Sequence, residues 1–133
     1  MRGTTEFRAR LESDNFINQD FPYEGDVHLS LFLLKRADGD KDVLFTIDKG
    51  QLPCFRSGDG CSFKAKFDNG PIQTLRAVGT SSGSDDVIFM AGNTKKFMAS
   101  LRKAKKLTVE VDVYNSGNRQ FAFSPAGLEW KYF

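Results

Sequence analysis

Residues 107–114 read Leu-Thr-Val-Glu-Val-Asp-Val-Tyr, and no other stretch constrains the fold so tightly. Leu107, Val109, Val111 and Val113 alternate with Thr108, Glu110, Asp112 and Tyr114. Successive side chains of a strand point to opposite faces, so this segment has one apolar face and one wet face. A helix would scatter the same four apolar residues around its circumference. Asn115-Ser116-Gly117-Asn118 is turn chemistry, and Phe121 and Phe123 continue an apolar face on the return. A two-stranded hairpin is marginal in water, so this one needs further strands or a packed partner.

The rest of the chain supplies them. Cys61–Phe67 alternates cleanly, with Phe63, Ala65 and Phe67 on one face. Asp68-Asn69-Gly70-Pro71 turns the chain into a strand over Ile72–Val78. Val27–Leu34 alternates at first and then becomes apolar on both faces, the mark of a strand entering the interior. Ala37-Asp38-Gly39-Asp40 is a hairpin turn, and Asp42–Ile47 returns from it. Val87–Met90 is short and wholly apolar. Residues 1–22 are polar and irregular, and read as an N-terminal arm or short strand on a single β-rich domain over 23–133. One segment reads as a helix, about residues 94–106, with Asn93 or Thr94 as its cap. The expected fold is mainly β: an antiparallel β-sandwich or barrel of about eight strands, with that helix packed on it as a lid.

Length agrees with one domain. A chain of 133 residues buries roughly two-thirds of its unfolded surface. Apolar residues at 40% and charged residues at 27% are ordinary for a globular protein. No run approaches the ~20 apolar residues a membrane helix needs. The opening MRGTTEFRARLE lacks the apolar core of a signal peptide.

Cys54 and Cys61 flank Ser57-Gly58-Asp59-Gly60, a strong turn signal. A turn there sets the two thiols face to face across a hairpin, and a disulfide closing so short a loop contributes about 2–3 kcal/mol. That pairing points to an oxidising compartment, periplasmic or secreted, with any leader outside this chain. Two thiolates and one distant histidine do not make a zinc site. No metal and no cofactor is expected.

Gly79-Thr80-Ser81-Ser82-Gly83 spells G-x-S-x-G. A nucleophile elbow needs a strand, a tight turn and a helix, with the histidine after the serine. Here Ser84-Asp85-Asp86 leads into another strand, and the single histidine, His28, precedes Ser81. The stretch therefore reads as a polar loop. Asp38-Gly39-Asp40-Lys41-Asp42 begins like a calcium loop, but an EF-hand needs Gly at its sixth position and Glu at its twelfth, where Val43 and Lys49 stand. No Gly-Lys-Ser/Thr follows the glycines, so there is no phosphate cradle. His28 lies in an apolar strand and reads as a histidine at the surface or at the edge of the core.

Lys95, Lys96, Arg102, Lys103, Lys105 and Lys106 place six cations and no acid in the helical segment. At roughly 100° per residue, Phe97, Met98, Leu101 and Ala104 gather on one side and Lys95, Lys96, Arg102, Lys103 and Lys106 on the other. The chain is +2 overall, so everything outside the segment is net −4. A general nucleic-acid binder is basic over a wider face, with stacking aromatics beside it.

Residues 61–130 carry the strings CSFKAKFDNGP, SSGSDDVIF, KFMASLRKAKKLTVEV and RQFAFSPAGLEW. In these the chain resembles a small exported domain of unknown function found in proteobacterial and phage-borne proteins. It is more distantly similar to the invasion-associated locus B family of periplasmic proteins, which also set a Lys-rich helix before a Val-rich strand. The resemblance implies a β-sandwich with a helix, an envelope location and no established enzymatic role, and it transfers no catalytic residue.

The function expected from these readings is a non-catalytic, secreted or periplasmic interaction domain. Its contact surface comprises Lys95, Lys96, Arg102, Lys103 and Lys106, joined by Ser81, Ser82 and Asp85 of the polar loop. The partner is a protein with an acidic surface, and nucleic acid is disfavoured. The alternatives are an inhibitor or immunity-type protein that blocks an enzyme, and a hydrolase using Ser81.

Overall fold

Alternation becomes architecture wherever a turn lets one apolar face meet the next. The computed structural model describes residues 7–18, 25–53, 60–79, 85–114, 116–128 and 130. Its long strands are β1 (Phe7–Glu12), β4 (Leu29–Lys35), β5 (Lys41–Ile47), β6 (Cys61–Phe67), β7 (Gln73–Val78), β8 (Val87–Met90), β9 (Leu107–Val113) and β10 (Gly117–Phe123). Two-residue strands β2 (Ile17–Asn18) and β3 (Asp26–Val27) pair with each other, and one helix, α1 (Thr94–Lys103), joins β8 to β9. The eight long strands form a single sheet in the order β1-β4-β5-β8-β7-β6-β9-β10, with every pairing antiparallel. The sheet curls until it is nearly closed into a barrel. Of the sandwich and the barrel, the chain adopts the barrel. Residues 7–12 and 17–18 form strands, and β1 is a full member of the sheet.

The closing seam is made of one backbone bond and the side chains beside it. β1 pairs only with β4, and β10 only with β9. Immediately after β1, the Asp14 N–H donates to the Ala122 carbonyl at 2.7 Å. The Asn15 carboxamide then stands in for a peptide unit. Its Oδ1 accepts from the Ala122 N–H at 2.7 Å, and its Nδ2 donates to the Gln120 carbonyl at 3.0 Å. The Ser124 hydroxyl donates to the Asp14 carboxylate at 2.6 Å, beside the same seam.

Phe45 on β5 shows that the interior is packed across, not only along, the sheet. It is fully buried, with its ring edge-on to Phe63 of β6 at 5.2 Å and tilted against Phe123 of β10 at 6.4 Å. Leu29, Leu31 and Leu33 fill the same space from β4, and Leu107, Val109 and Val113 from β9. The strand registers fix two ends. β6 finishes and β9 begins at the end that α1 covers, and Leu52, 1% exposed, plugs the other. The apolar second face expected of β4 lies outside the barrel. There Phe32, Leu44, Phe89 and Val78 stand side by side across four strands.

One turn differs from expectation and another agrees with it. The β9–β10 turn is shorter than Asn115–Asn118, because Gly117 already pairs with Val113. Gly117 takes φ 72°, the left-handed residue that three-residue hairpins require. The Asp38-Gly39-Asp40 stretch is a hydrogen-bonded hairpin turn. Asp38 Oδ1 accepts from the Asp40 N–H at 2.9 Å, and Arg36 holds the Asp42 carboxylate at 2.6 Å. The Asp38 and Asp42 carboxylates of the apparent calcium loop are thus engaged in the turn itself.

Candidate functional site

α1 begins and ends differently from the way its sequence reads. Asn93 occupies the cap position but in a left-handed conformation, φ 58°, and its side chain makes no capping bond. Its carbonyl accepts the first helical bond, from the Phe97 N–H at 2.9 Å. The expected side-chain cap is therefore absent. The helix also stops at Lys103, three residues short of 106. Ala104 is extended, and both the Lys105 and Lys106 N–H groups donate to Asp68 Oδ1 at 2.9 Å. In return, the Asp68 N–H donates to the Lys106 carbonyl at 2.8 Å. Asp68 sits at φ 51° in the β6–β7 turn and so clasps the helix exit to the sheet. Helix propensity loses here to a carboxylate far away in the chain that satisfies the same donors.

The buried stripe is the expected one. Phe97, Met98, Leu101 and Ala104 are all buried, and the Phe97 ring meets Phe67 edge-on at 5.2 Å. The helix lies against β5 and the Pro125–Gly127 turn. Lys95, Lys96, Arg102, Lys103, Lys105 and Lys106 are all exposed, and among the described residues none of the six has an ion-pair partner. Arg102 and Lys103 lie in the last turn, where cations suit the negative end of the helix dipole. Lys105 and Lys106 belong to the clasped exit. Anchoring by four buried side chains and the clasp makes the cationic face a rigid one.

Of the loop residues expected to join this face, only Asp85 lies among the described ones. Ser81 and Ser82 lie outside the described residues, as do Cys54 and Met1–Gly3. Asp85 is half-buried at the head of β8, with its carbonyl accepting the Leu52 N–H at 2.7 Å. α1 follows the other end of β8, so Asp85 and the cationic face stand at opposite ends of that strand. Cys61 is half-buried at the start of β6, and no described cysteine is a free thiol.

At the Leu52 end, a pocket of about 240 Å³ is lined by Leu52, Pro53, Cys61, Ser62, Ile88, Val111 and Asp112. Its walls are mainly apolar, with one carboxylate at the rim. The same end carries a group that the sequence reading missed. Glu12, His28 and Asp48 converge there, each offering a ligand atom within 4.8 Å of the others. His28 faces Asp48 at 3.6 Å (Nδ1 to Oδ2), half-buried at the edge of the core as expected.

Searches of protein-family profiles, of curated proteins and of solved structures return no match to this chain.

Proposed function

We propose that the protein is a non-catalytic interaction domain of the cell envelope or the secreted space, and that it holds an acidic protein surface against α1. One observation carries this reading: six cations stand exposed on and just beyond a rigidly anchored helix, without counter-ions among the described residues. A fixed array loses little side-chain and backbone freedom on binding, which favours affinity at a given area. The remainder of the chain is net −4, so the charge is polarised toward the helix and steers an acidic partner to it. The same balance argues against nucleic acid, whose backbone would meet repulsion beyond the helix.

The compartment belongs to this reading. The chain has two cysteines and no described free thiol, which supports a Cys54–Cys61 bond and an oxidising environment. The resemblance to exported domains supports the same setting. The intact mass without reductant is expected to be lower by two hydrogens than after reduction. Equal masses before and after reduction, with both thiols alkylatable in the folded protein, would remove the compartment argument.

The contact surface is tested by reversing charge at Lys96, Arg102, Lys103 and Lys106 together, each to Glu. All four are exposed, so the melting temperature is expected to stay within a few degrees of wild type. Wild type is expected to capture its partner from an envelope extract, with poly-L-glutamate competing and duplex DNA of equal charge competing poorly. The quadruple variant should capture nothing. Undiminished capture by a folded quadruple variant rules this face out.

A further inference from the structure

We infer that Glu12, His28 and Asp48 form a binding site for a first-row divalent cation of the zinc class, at the barrel end opposite α1. The three residues come from three neighbouring segments: the end of β1, the residue between β3 and β4, and the residue after β5. Their approach is set by the backbone. Leu29 pairs with Ile47, and one step further the Asp48 N–H donates to the His28 carbonyl at 3.1 Å. The His28 N–H in turn donates to Asp48 Oδ2 at 3.1 Å, which fixes that carboxylate beside the imidazole. Glu12 pairs with Ser30, and so lies diagonally across from His28 on the same outer face.

The separations suit an ion better than a proton. His28 Nδ1 and Asp48 Oδ2 are 3.6 Å apart, too far for a hydrogen bond. Two ligands of a tetrahedral zinc ion with bonds near 2.1 Å stand about 3.4 Å apart. Glu12 offers a ligand atom within 4.8 Å of both. One nitrogen and two carboxylates suit zinc and its first-row neighbours, whereas calcium prefers an all-oxygen shell.

The surroundings hold the ligands as outer partners do in metal centres. Arg10 donates to Glu12 Oε2 at 3.1 Å and to the buried Ser30 hydroxyl at 3.0 Å, which holds the Glu12 carboxylate on this face and leaves its other oxygen without a bond to Arg10. The Phe16 ring lies 5.7 Å from the His28 ring and limits its swing. An ion here would tie the edge strand β1 to β4 and β5, so its binding adds to stability by mass action.

The test is clean because His28 is the chain's single histidine. Untagged protein is titrated with zinc chloride by calorimetry, and its melting temperature is followed against zinc concentration. Wild type is expected to bind one zinc per chain and to melt higher as zinc is added. His28→Ala is expected to weaken binding by about a hundredfold, the upper end of what even an outer partner costs, and to abolish the thermal shift. Asp48→Asn and Glu12→Gln, nearly isosteric, cover the case in which His28→Ala fails to fold, and each is expected to weaken binding by at least about tenfold. No binding by wild type, or equal binding by wild type and the folded variants, overturns the site.

Discussion

Phe45→Ala is expected to cost about 3–5 kcal/mol of folding stability, the range for emptying a buried aromatic site. A domain of this size has only about 5–15 kcal/mol in hand. Phe45 is 0% exposed, and its contacts reach Phe63 and Phe123, on the sixth and eighth strands of the sheet order. Those rings come from distant parts of one sheet, so the cavity left by Ala could collapse only if the barrel itself narrowed. The urea midpoint should fall sharply with its slope unchanged, the signature of lost stability without a changed transition. A loss under about 1.5 kcal/mol, the scale of a volume-conserving swap, would mean that the interior does not pack across as described.

Gly60→Ala is expected to cost about 2–5 kcal/mol, from two terms. Gly60 has φ 86°, and an L-residue held in left-handed backbone costs roughly 1–2 kcal/mol. The new Cβ would also lie 2.5 Å from the Ala77 carbonyl oxygen, which belongs to the backbone of β7 and cannot rotate aside. Relieving that overlap pushes β6 from β7 where Cys61 pairs with Ala77, at a cost of about 1–3 kcal/mol. Gly39 separates the terms. It has φ 96° in the β4–β5 turn, but a Cβ there meets nothing within 4 Å. Gly39→Ala should therefore pay only the conformational part, and the difference between two chemical melts measures the clash. Equal losses in the two variants would refute the close approach.

Local alternation made much of this fold legible. Cys61–Phe67, Val87–Met90 and Leu107–Val113 are strands with the bounds their patterns imply, because each has one face on the core and turn residues beside it. The helix exit was illegible for a specific reason. Lys103–Lys106 reads as good helix, and what stops it is Asp68, which lies 37 residues before Lys105. Pairings between distant strands, such as β5 with β8 and β6 with β9, leave no local trace, since any two amphipathic strands can share an edge.

The His28–Asp48 half of the cation site could have been counted out. The turn around Asp38 and Gly39 sets Lys35 opposite Lys41, and the same register carries His28 to Asp48. Glu12 could not have been found this way. β1 ends at Glu12 and β4 begins at Leu29, too far apart in the chain for one tight turn to set their register. On the cationic face, periodicity located Lys95, Lys96, Arg102 and Lys103 and the stripe that anchors them, because a surface helix shows both in one pattern. That these cations have no ion-pair partner among the described residues is a property of the fold and emerges only from the structure.

The Asn15 clasp has a bearing on how this chain behaves in a crowd. A strand that ends a sheet normally offers its free N–H and C=O groups as a template on which other chains add, the first step of aggregation. Here the Ala122 N–H and C=O and the Gln120 C=O are occupied by the chain's own residues 14 and 15. One carboxamide thus serves as a stopper on the most sticky border of the molecule.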